Sequence, residues 1–597
     1  MAHSTRLRPA SALVLAICLR PASALVLALA AACGGPASAP AQSAPTAPSA
    51  SPASPASPAA SPAVPAARDP GAAIDAAAAA ITADVLRGQV ARLSADDFEG
   101  RGPTTRGDRA ARAYLVEQLK AMGYEPGGAG GAWEQPFDVV GMTASMPETW
   151  TFSRGRAQLA LRWSEQYMAA SGVQAERGSI RNAEVVFVGY GIQAPEYGWD
   201  DFKGKDLRGK VLLMLNNDPD WDPALFAGPT RLYYGRWSYK YESAARQGAA
   251  GAIIIHTTPS AGYPWQVVQT SWSGAKFELP AEGEPRIQIR SWVTEDAARS
   301  LVKLAGRDLA ALTLAARQKT FTPVPLGVTT SIEFGNRIER GQTANVLGLL
   351  RGSDPRLAGE LVVYTAHHDH LGIGKPDAAG DRIYNGALDN AAGCAQVLAI
   401  GKAFKALPAP PRRSVLFLFV GAEEQGLLGS KYYTLHPTVP PGKIAVDINY
   451  DGGSIWGRSR DVGYIGKGRS TLDPIVEQHA ARQGRTVKPD QYPDRGSFYR
   501  SDQFSFAQIG VPSLYLDEGS ELIGRPPGWG GQQKDAYVAR YYHQPSDQLR
   551  PEWNFDGMIE DAQLGFRVGY EVAGTDQMPA WKPGDEFEAA RKAALGR

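Results

Sequence analysis

The 597 residues exceed the roughly 250–300 at which a single hydrophobic core stops growing, so at least two packed units with tails are expected. A hydrophobic share of 44% and a charged share of 21% exclude a chain that is disordered or fibrous throughout. Lys and Arg number 62 against 61 Asp and Glu, with no long basic run, which argues against nucleic acid as a partner.

Residues 1–33 read as an export signal. Arg6, Arg8 and Arg20 lie ahead of an apolar stretch at 22–32 that ends in small residues before Cys33, and RPASALVLA at 8–16 recurs at 20–28. LAAAC at 29–33 resembles a bacterial lipoprotein signal, in which Cys33 becomes the lipid-bearing N-terminus. Residues 34–72 form an Ala/Pro/Ser-rich linker, too poor in hydrophobic residues to fold and stiffened by proline, as suits a tether. The expected location is the periplasm, the outer membrane or the cell surface, or outside the cell after secretion, with membrane contact only through a lipid anchor at Cys33. Cys18 and Cys33 both fall in this region, so Cys394 stands alone in the body and no disulfide framework is expected there.

Folded sequence is expected from about residue 73. Ile81, Val85, Val90 and Leu93 fall at helical spacing, and AARAYLVEQLKAM at 110–122 predicts a second amphipathic helix stopped by Gly123. These open the first part of the main unit, 73–150. From 151 to 335, short apolar runs at 185–188, 211–215 and 252–255, punctuated by Gly, Pro and Trp, predict a separate, inserted strand-rich domain. From 336 to 580, apolar strands at 361–366, 414–420 and 444–450 alternate with helices at 389–407 and 423–435. That alternation implies an α/β fold with a mixed, mostly parallel sheet sandwiched by helices, and 581–597 reads as a C-terminal tail.

Polar residues gather where such a sheet binds ligands. His367 and Asp369 follow the first strand, Glu423 and Glu424 the second, and Asp451 the third, and the carboxyl ends of strands form the crevice of an open α/β sheet. Asp389 is expected to open the helix at 389–407, where a carboxylate either caps helix N–H groups or bridges two cations. The set His367, Asp389, Glu424, Asp451 and His543 mixes imidazole with carboxylate and lacks thiolate, which suits zinc in a hydrolytic site; Cys394 is expected in the core. Adjacent Glu423 and Glu424 repel unless cations neutralise one of them. Glu424 therefore reads as a ligand, and Glu423 as the base for a water whose pKa a metal lowers from about 15.7 to roughly 7. His368 and His370 are expected to be hydrogen-bonded neighbours or surface groups. Asp502 either lines the cleft or caps a helix, and Tyr541 and Tyr542 either pack or donate to an oxyanion.

HHDHLG at 367–372, YNGALDN at 384–390, GAEEQGLLGS at 421–430, NYD at 449–451 and YHQPSD at 542–547 together resemble metallopeptidase family 28, the co-catalytic zinc aminopeptidases. FEGRG at 98–102, RSD at 500–502 and GVP at 510–512 extend the resemblance. It implies two zinc ions per chain, with Asp389 bridging, His367 and Asp451 completing one site, and Glu424 and His543 the other. It also implies Asp369 orienting His367, Glu423 as catalytic base, a frequent cis bond at Asp389-Asn390, and peptide substrates cleaved at their N-terminus. VVFVGYG at 185–191, DFKGKDLRGKV at 201–211 and AARQGAAGA from Ala244 resemble the protease-associated domain inserted in many such peptidases. Carboxypeptidase action is the main alternative, because the same di-zinc core serves it. A glutaminyl cyclase or a receptor-like relative is disfavoured, because all five ligand positions and the base are filled.

Overall fold

The computed structural model describes residues 70–223 and 225–596; the expected export signal, the anchor at Cys33 and the linker up to residue 69 lie outside the described residues. Helix α1 (Pro70–Ala78) starts slightly before the expected onset, with proline at its first position, where a missing N–H leaves no intrahelical bond unmade. In α2 (Ala83–Leu93) the Thr82 hydroxyl caps the N–H of Val85, and Leu86, Val90 and Leu93 are buried. Helix α3 (Arg106–Ala121) begins four residues before the apolar pattern at 110 because Thr105 caps Asp108. Among the described residues no helix is long and apolar enough to cross a membrane.

Strand β1 (Glu134–Ser145) carries the chain away from these helices into a second core. There β2 (Tyr167–Ser171), β3 (Arg177–Phe187), β4 (Val211–Leu215), β5 (Gly251–His256) and β6 (Ile289–Thr294) form a sheet in the order β3–β4–β5–β6–β2. All neighbours are parallel except β6 and β2. Both faces are covered, by Val185, Leu213, Ile253 and Leu301 on one side and Leu212, Ile254 and Trp292 on the other. Strand β5 accordingly reads as apolar sequence up to its last residue, His256, and is buried at every position. Full burial of each such Leu or Ile contributes about 1.5–3 kcal/mol.

The return path is β7 (Val324–Leu350), 27 residues long, against an ordinary strand of roughly 5–6. It pairs antiparallel with β3, then with β1 from Gly335 to Val346, and finally enters the main sheet. That sheet adds β8 (Leu361–His367), β9 (Ser414–Val420), β10 (Ile444–Asn449), β11 (Asp461–Ile465) and β12 (Ser513–Asp517) in the order β7–β9–β8–β10–β12–β11. The four inner strands are mutually parallel and the two flanking strands antiparallel to them, so the α/β architecture is mixed and mostly parallel. Helices α4 (Ala392–Ala406) and α6 (Asp556–Gly574) cover one face, with Val362, Phe417 and Phe566 between them. Helix α5 (Leu428–Leu435) covers the other through Tyr433.

Three expectations shift. The helix predicted from 389 begins at Ala392, because Asp389 and Asn390 adopt extended, non-helical backbone. The helix predicted from 423 is broken into a short 3-10 turn and α5, since Ala422 and Leu427 both take left-handed backbone (φ 57° and 62°). Residues 581–596 are no free tail: Trp581 and Phe587 are buried against Phe498 and Tyr499.

Candidate metal centre

Three parallel strands deliver their polar groups to one rim. His367 is the last residue of β8, Glu423 and Glu424 follow β9, and Asp451 follows β10. The left-handed turn at Ala422 points the backbone N–H groups of Glu423 and Glu424 at Asp369, whose two carboxylate oxygens accept them at 2.9 and 3.4 Å. Asp369 therefore holds the glutamate turn. Its carboxylate is 3.8 Å from His367 Nδ1, outside hydrogen-bond range, and the oxygen that faces that nitrogen at 3.2 Å is the Asp369 carbonyl. The expectation that the Asp369 side chain orients His367 is corrected accordingly.

Asp389 arrives from the loop between β8 and α4. Asp547 grips this loop, accepting the N–H of Leu388 at 3.2 Å and of Asp389 at 3.1 Å. The Asp389–Asn390 peptide is cis. The capping role weighed for Asp389 falls to Asn390, whose Oδ1 accepts from Gly393 at 2.8 Å and Gly452 at 3.0 Å. Gly386 turns the chain with φ 57°, and a Cβ there would sit 2.3 Å from the Asp389 carbonyl and 2.6 Å from the His370 ring. Arg101, 1% exposed, ties the N-terminal helices to these loops by donating to the carbonyls of Leu93, His368, Asn385 and Gly386.

With Asp389 in place, its two oxygens face different imidazoles: Oδ1 is 3.4 Å from His367 Nε2, and Oδ2 is 3.2 Å from His543 Nε2. Asp451 Oδ1 lies 3.3 Å from His367 Nε2, and Glu424 Oε2 lies 3.0 Å from His543 Nε2. All five sequence-expected ligands thus converge as two sets sharing Asp389. Glu423 Oε2 stands 3.8 Å from His367 Nε2, on the cavity side. His370 Nδ1 bonds Glu424 Oε1 at 2.6 Å and leaves the other oxygen facing His543, while His368 bonds the Ala344 carbonyl. Cys394 is buried in α4 with its thiol on the His367 carbonyl. Asp502 is buried and makes no capping bond to its helix.

The charges of this cluster demand cations. Burial pulls the His367 imidazole towards neutrality, but Glu423, Asp389 and Asp451 outweigh it and hold its pKa well above the ordinary value. His543 behaves alike: burial opposes protonation, yet Glu424 and Asp389 raise it to about 9. Glu423 is pushed well above the carboxylate range by burial and by Glu424. His543 Nε2 is buried without a hydrogen-bond partner although two carboxylate oxygens lie within 3.2 Å, as expected of a ligand nitrogen whose lone pair faces a shared ion. Nitrogen and oxygen donors without sulfur fit zinc.

Two residues escaped the sequence reading. Ser271 Oγ lies 2.7 Å from His543 Nδ1, across 272 positions in sequence. Asp547 was noticed only as part of a motif, without a role. No local pattern marks a serine for such a contact.

Residues 345–566 match the model of Peptidase family M28. The probable leucine aminopeptidase 2 of Aspergillus oryzae is 28% identical over 233 residues, 36% of this chain and 42% of that protein. Leupeptin-inactivating enzyme 1 of Streptomyces exfoliatus is 29% identical over 168 residues, 28% of this chain and 36% of that protein. Aminopeptidase YwaD of Bacillus subtilis is 26% identical over 389 residues, 63% of this chain and 65% of that protein. The chain thus matches less than half the length of the first two. Among solved structures, an aminopeptidase from Aneurinibacillus sp. superposes with a TM-score of 0.51 at 17% identity, covering 86% of this chain and 97% of its own, a likeness of fold.

Proposed function

We propose, from the match of residues 345–566 to the model of Peptidase family M28, that this chain is an aminopeptidase that removes N-terminal residues from peptides with two bound zinc ions. The observation that carries this reading is Asp389, whose two oxygens address His367 and His543 separately and so serve two cation positions. His367 and Asp451 would hold one ion with Asp389, and Glu424 and His543 would hold the other. Such ions, when bound, would supply Lewis-acid polarisation of the scissile carbonyl and lower the pKa of a water to roughly 7. Glu423, beside this cluster and facing the cavity, takes the proton of the attacking water and passes it to the leaving amine. Tyr542 is stacked on His543 at 3.9 Å and faces the cavity, where its hydroxyl donates to the oxyanion of the tetrahedral species.

Export and a lipid tether at Cys33 belong to the same proposal, supported by the basic–apolar–small pattern of residues 1–33 and the Ala/Pro/Ser run behind it. The second core, with the family-like stretches at 185–191 and 201–211, is proposed as a protease-associated domain that walls the substrate cavity. The test is a panel of free-amine aminoacyl substrates and N-blocked dipeptides, with and without a chelator. Chelator-sensitive cleavage of free-amine substrates alone is expected. Cleavage of N-blocked dipeptides instead would make the protein a carboxypeptidase.

A further inference from the structure

The cavity over the metal centre has two lobes of opposite character that share Glu423, Glu424, Arg500 and Tyr542. One lobe, of about 180 Å³, is lined by Asp451, Asp517 and Glu518, whose charge Lys534 offsets only in part by pairing at 2.6 and 3.2 Å. It suits the cationic α-amine of a peptide. The other lobe, of about 120 Å³, is walled by the second core and lined by Arg236, Arg290, Lys276 and Arg500.

Of these four, Arg290 is paired with Glu278 at 2.6 Å. Lys276 donates to the Ser271 carbonyl and lies within the field of Glu424. Arg236 and Arg500 stand apart. Among the described residues neither forms an ion pair; the charged neighbour felt most strongly by Arg236 is Arg500 itself, and Arg231 adds further repulsion. Arg236 Nε is buried without a hydrogen-bond partner, and Arg231 behind it, 5% exposed, leaves Nε and Nη2 unpartnered. Burial pulls both Arg231 and Arg236 down to about 10, with Arg500 repelling each and Asp218 opposing the shift at Arg231. Half-buried guanidinium groups that no carboxylate meets are stabilised by an anion that does, so this lobe suits one. Arg500 also touches Tyr542, which is stacked on the ligand His543, so the anion would sit one side chain from the reacting carbonyl.

We propose that Arg236 and Arg500 bind a carboxylate on the leaving-group side of the scissile bond, so that the preferred substrates are short peptides whose free C-terminus falls in this lobe. This rests on the aminopeptidase reading. With about 3.5 Å of chain per residue, the terminus of a di- or tripeptide lies one or two residue lengths beyond the bond cleaved, and a guanidinium fork matches a carboxylate in two-pronged fashion.

The test compares kcat/KM on the full chain for leucyl-leucine, its C-terminal amide, and leucyl-glutamic acid amide. The free acid is expected to exceed its amide by on the order of 10- to 100-fold, the worth of one or two charge-assisted hydrogen bonds. In Arg236→Met the ratio of acid to amide falls towards one, and Arg236→Lys recovers part of it. A glutamyl amide cleaved as fast as the free acid, with leucyl-leucine amide slow, upholds the carboxylate subsite and shows that a side-chain carboxylate also reaches it. Acid and both amides cleaved at equal rates overturn the proposal while leaving the aminopeptidase reading intact, as does an unchanged ratio in Arg236→Met. If no free-amine substrate is cleaved, that reading fails and this one with it.

Discussion

Replacing Ser271 by alanine tests how far the metal centre depends on the second core. Ser271 ends the short helix Trp265–Ser271, with its hydroxyl 2.7 Å from His543 Nδ1; when Nε2 holds zinc the ring proton sits on Nδ1, and this hydroxyl would accept it. His543 is 6% exposed, so bulk water cannot simply replace the lost partner. A buried ring N–H left without an acceptor costs about 1–3 kcal/mol, a penalty borne by the zinc-binding tautomer. Zinc at the Glu424–His543 position should therefore bind about 10- to 100-fold more weakly, the usual effect of removing a partner behind a ligand. Competition against a chromophoric chelator, starting from metal-free protein, reads both binding constants. Ser271→Thr keeps the hydroxyl and should restore affinity. Wild-type constants for both ions in the alanine variant would refute the reasoning.

Glu423→Gln is expected to retain both zinc ions by elemental analysis and lose at least about a thousandfold in kcat, whereas Asp389→Ala should lose metal at both positions because each depends on one of its oxygens. Arg101→Met removes a buried guanidinium that serves four carbonyls; denaturant unfolding should show a loss of about 3–5 kcal/mol, and an unchanged midpoint would deny it that role. For metal-free protein, His543 titrates near 9 when folded against 6.5 unfolded. Its contribution is complete below pH 6.5 and disappears as pH rises through 9, so the melting temperature of the metal-free form should fall over that window, and saturation with zinc should remove the slope.

The main sheet and its polar rim were legible because they depend on short-range pattern. Continuous apolar runs mark β8, β9 and β10 as inner strands, and the residues just past each run, His367, Glu423, Glu424 and Asp451, are placed by that alone. Helix starts were less legible. The onset at Ala392 rather than Asp389 follows from Asp547 and Asn390 holding the preceding loop in extended backbone, and Asp547 lies 158 residues away. The resemblance assigned the Asp369 side chain to His367, whereas the left-handed backbone at Ala422 brings it the N–H groups of Glu423 and Glu424, which no local pattern announces. Ser271 and Arg236 were invisible for one reason: they belong to the second core, and their significance lies in where that core is set against the main one.

That placement follows from how the second core is attached. Both crossings run in paired strands, β1 outward and β7 back, hydrogen-bonded in register from Glu134↔Val346 to Ser145↔Gly335. A ribbon of this kind is a stiff beam rather than a string, and it holds the wall of the cavity at a set height over the metal rim. The two lobes of the cavity therefore keep their spacing only as long as that ribbon stays paired.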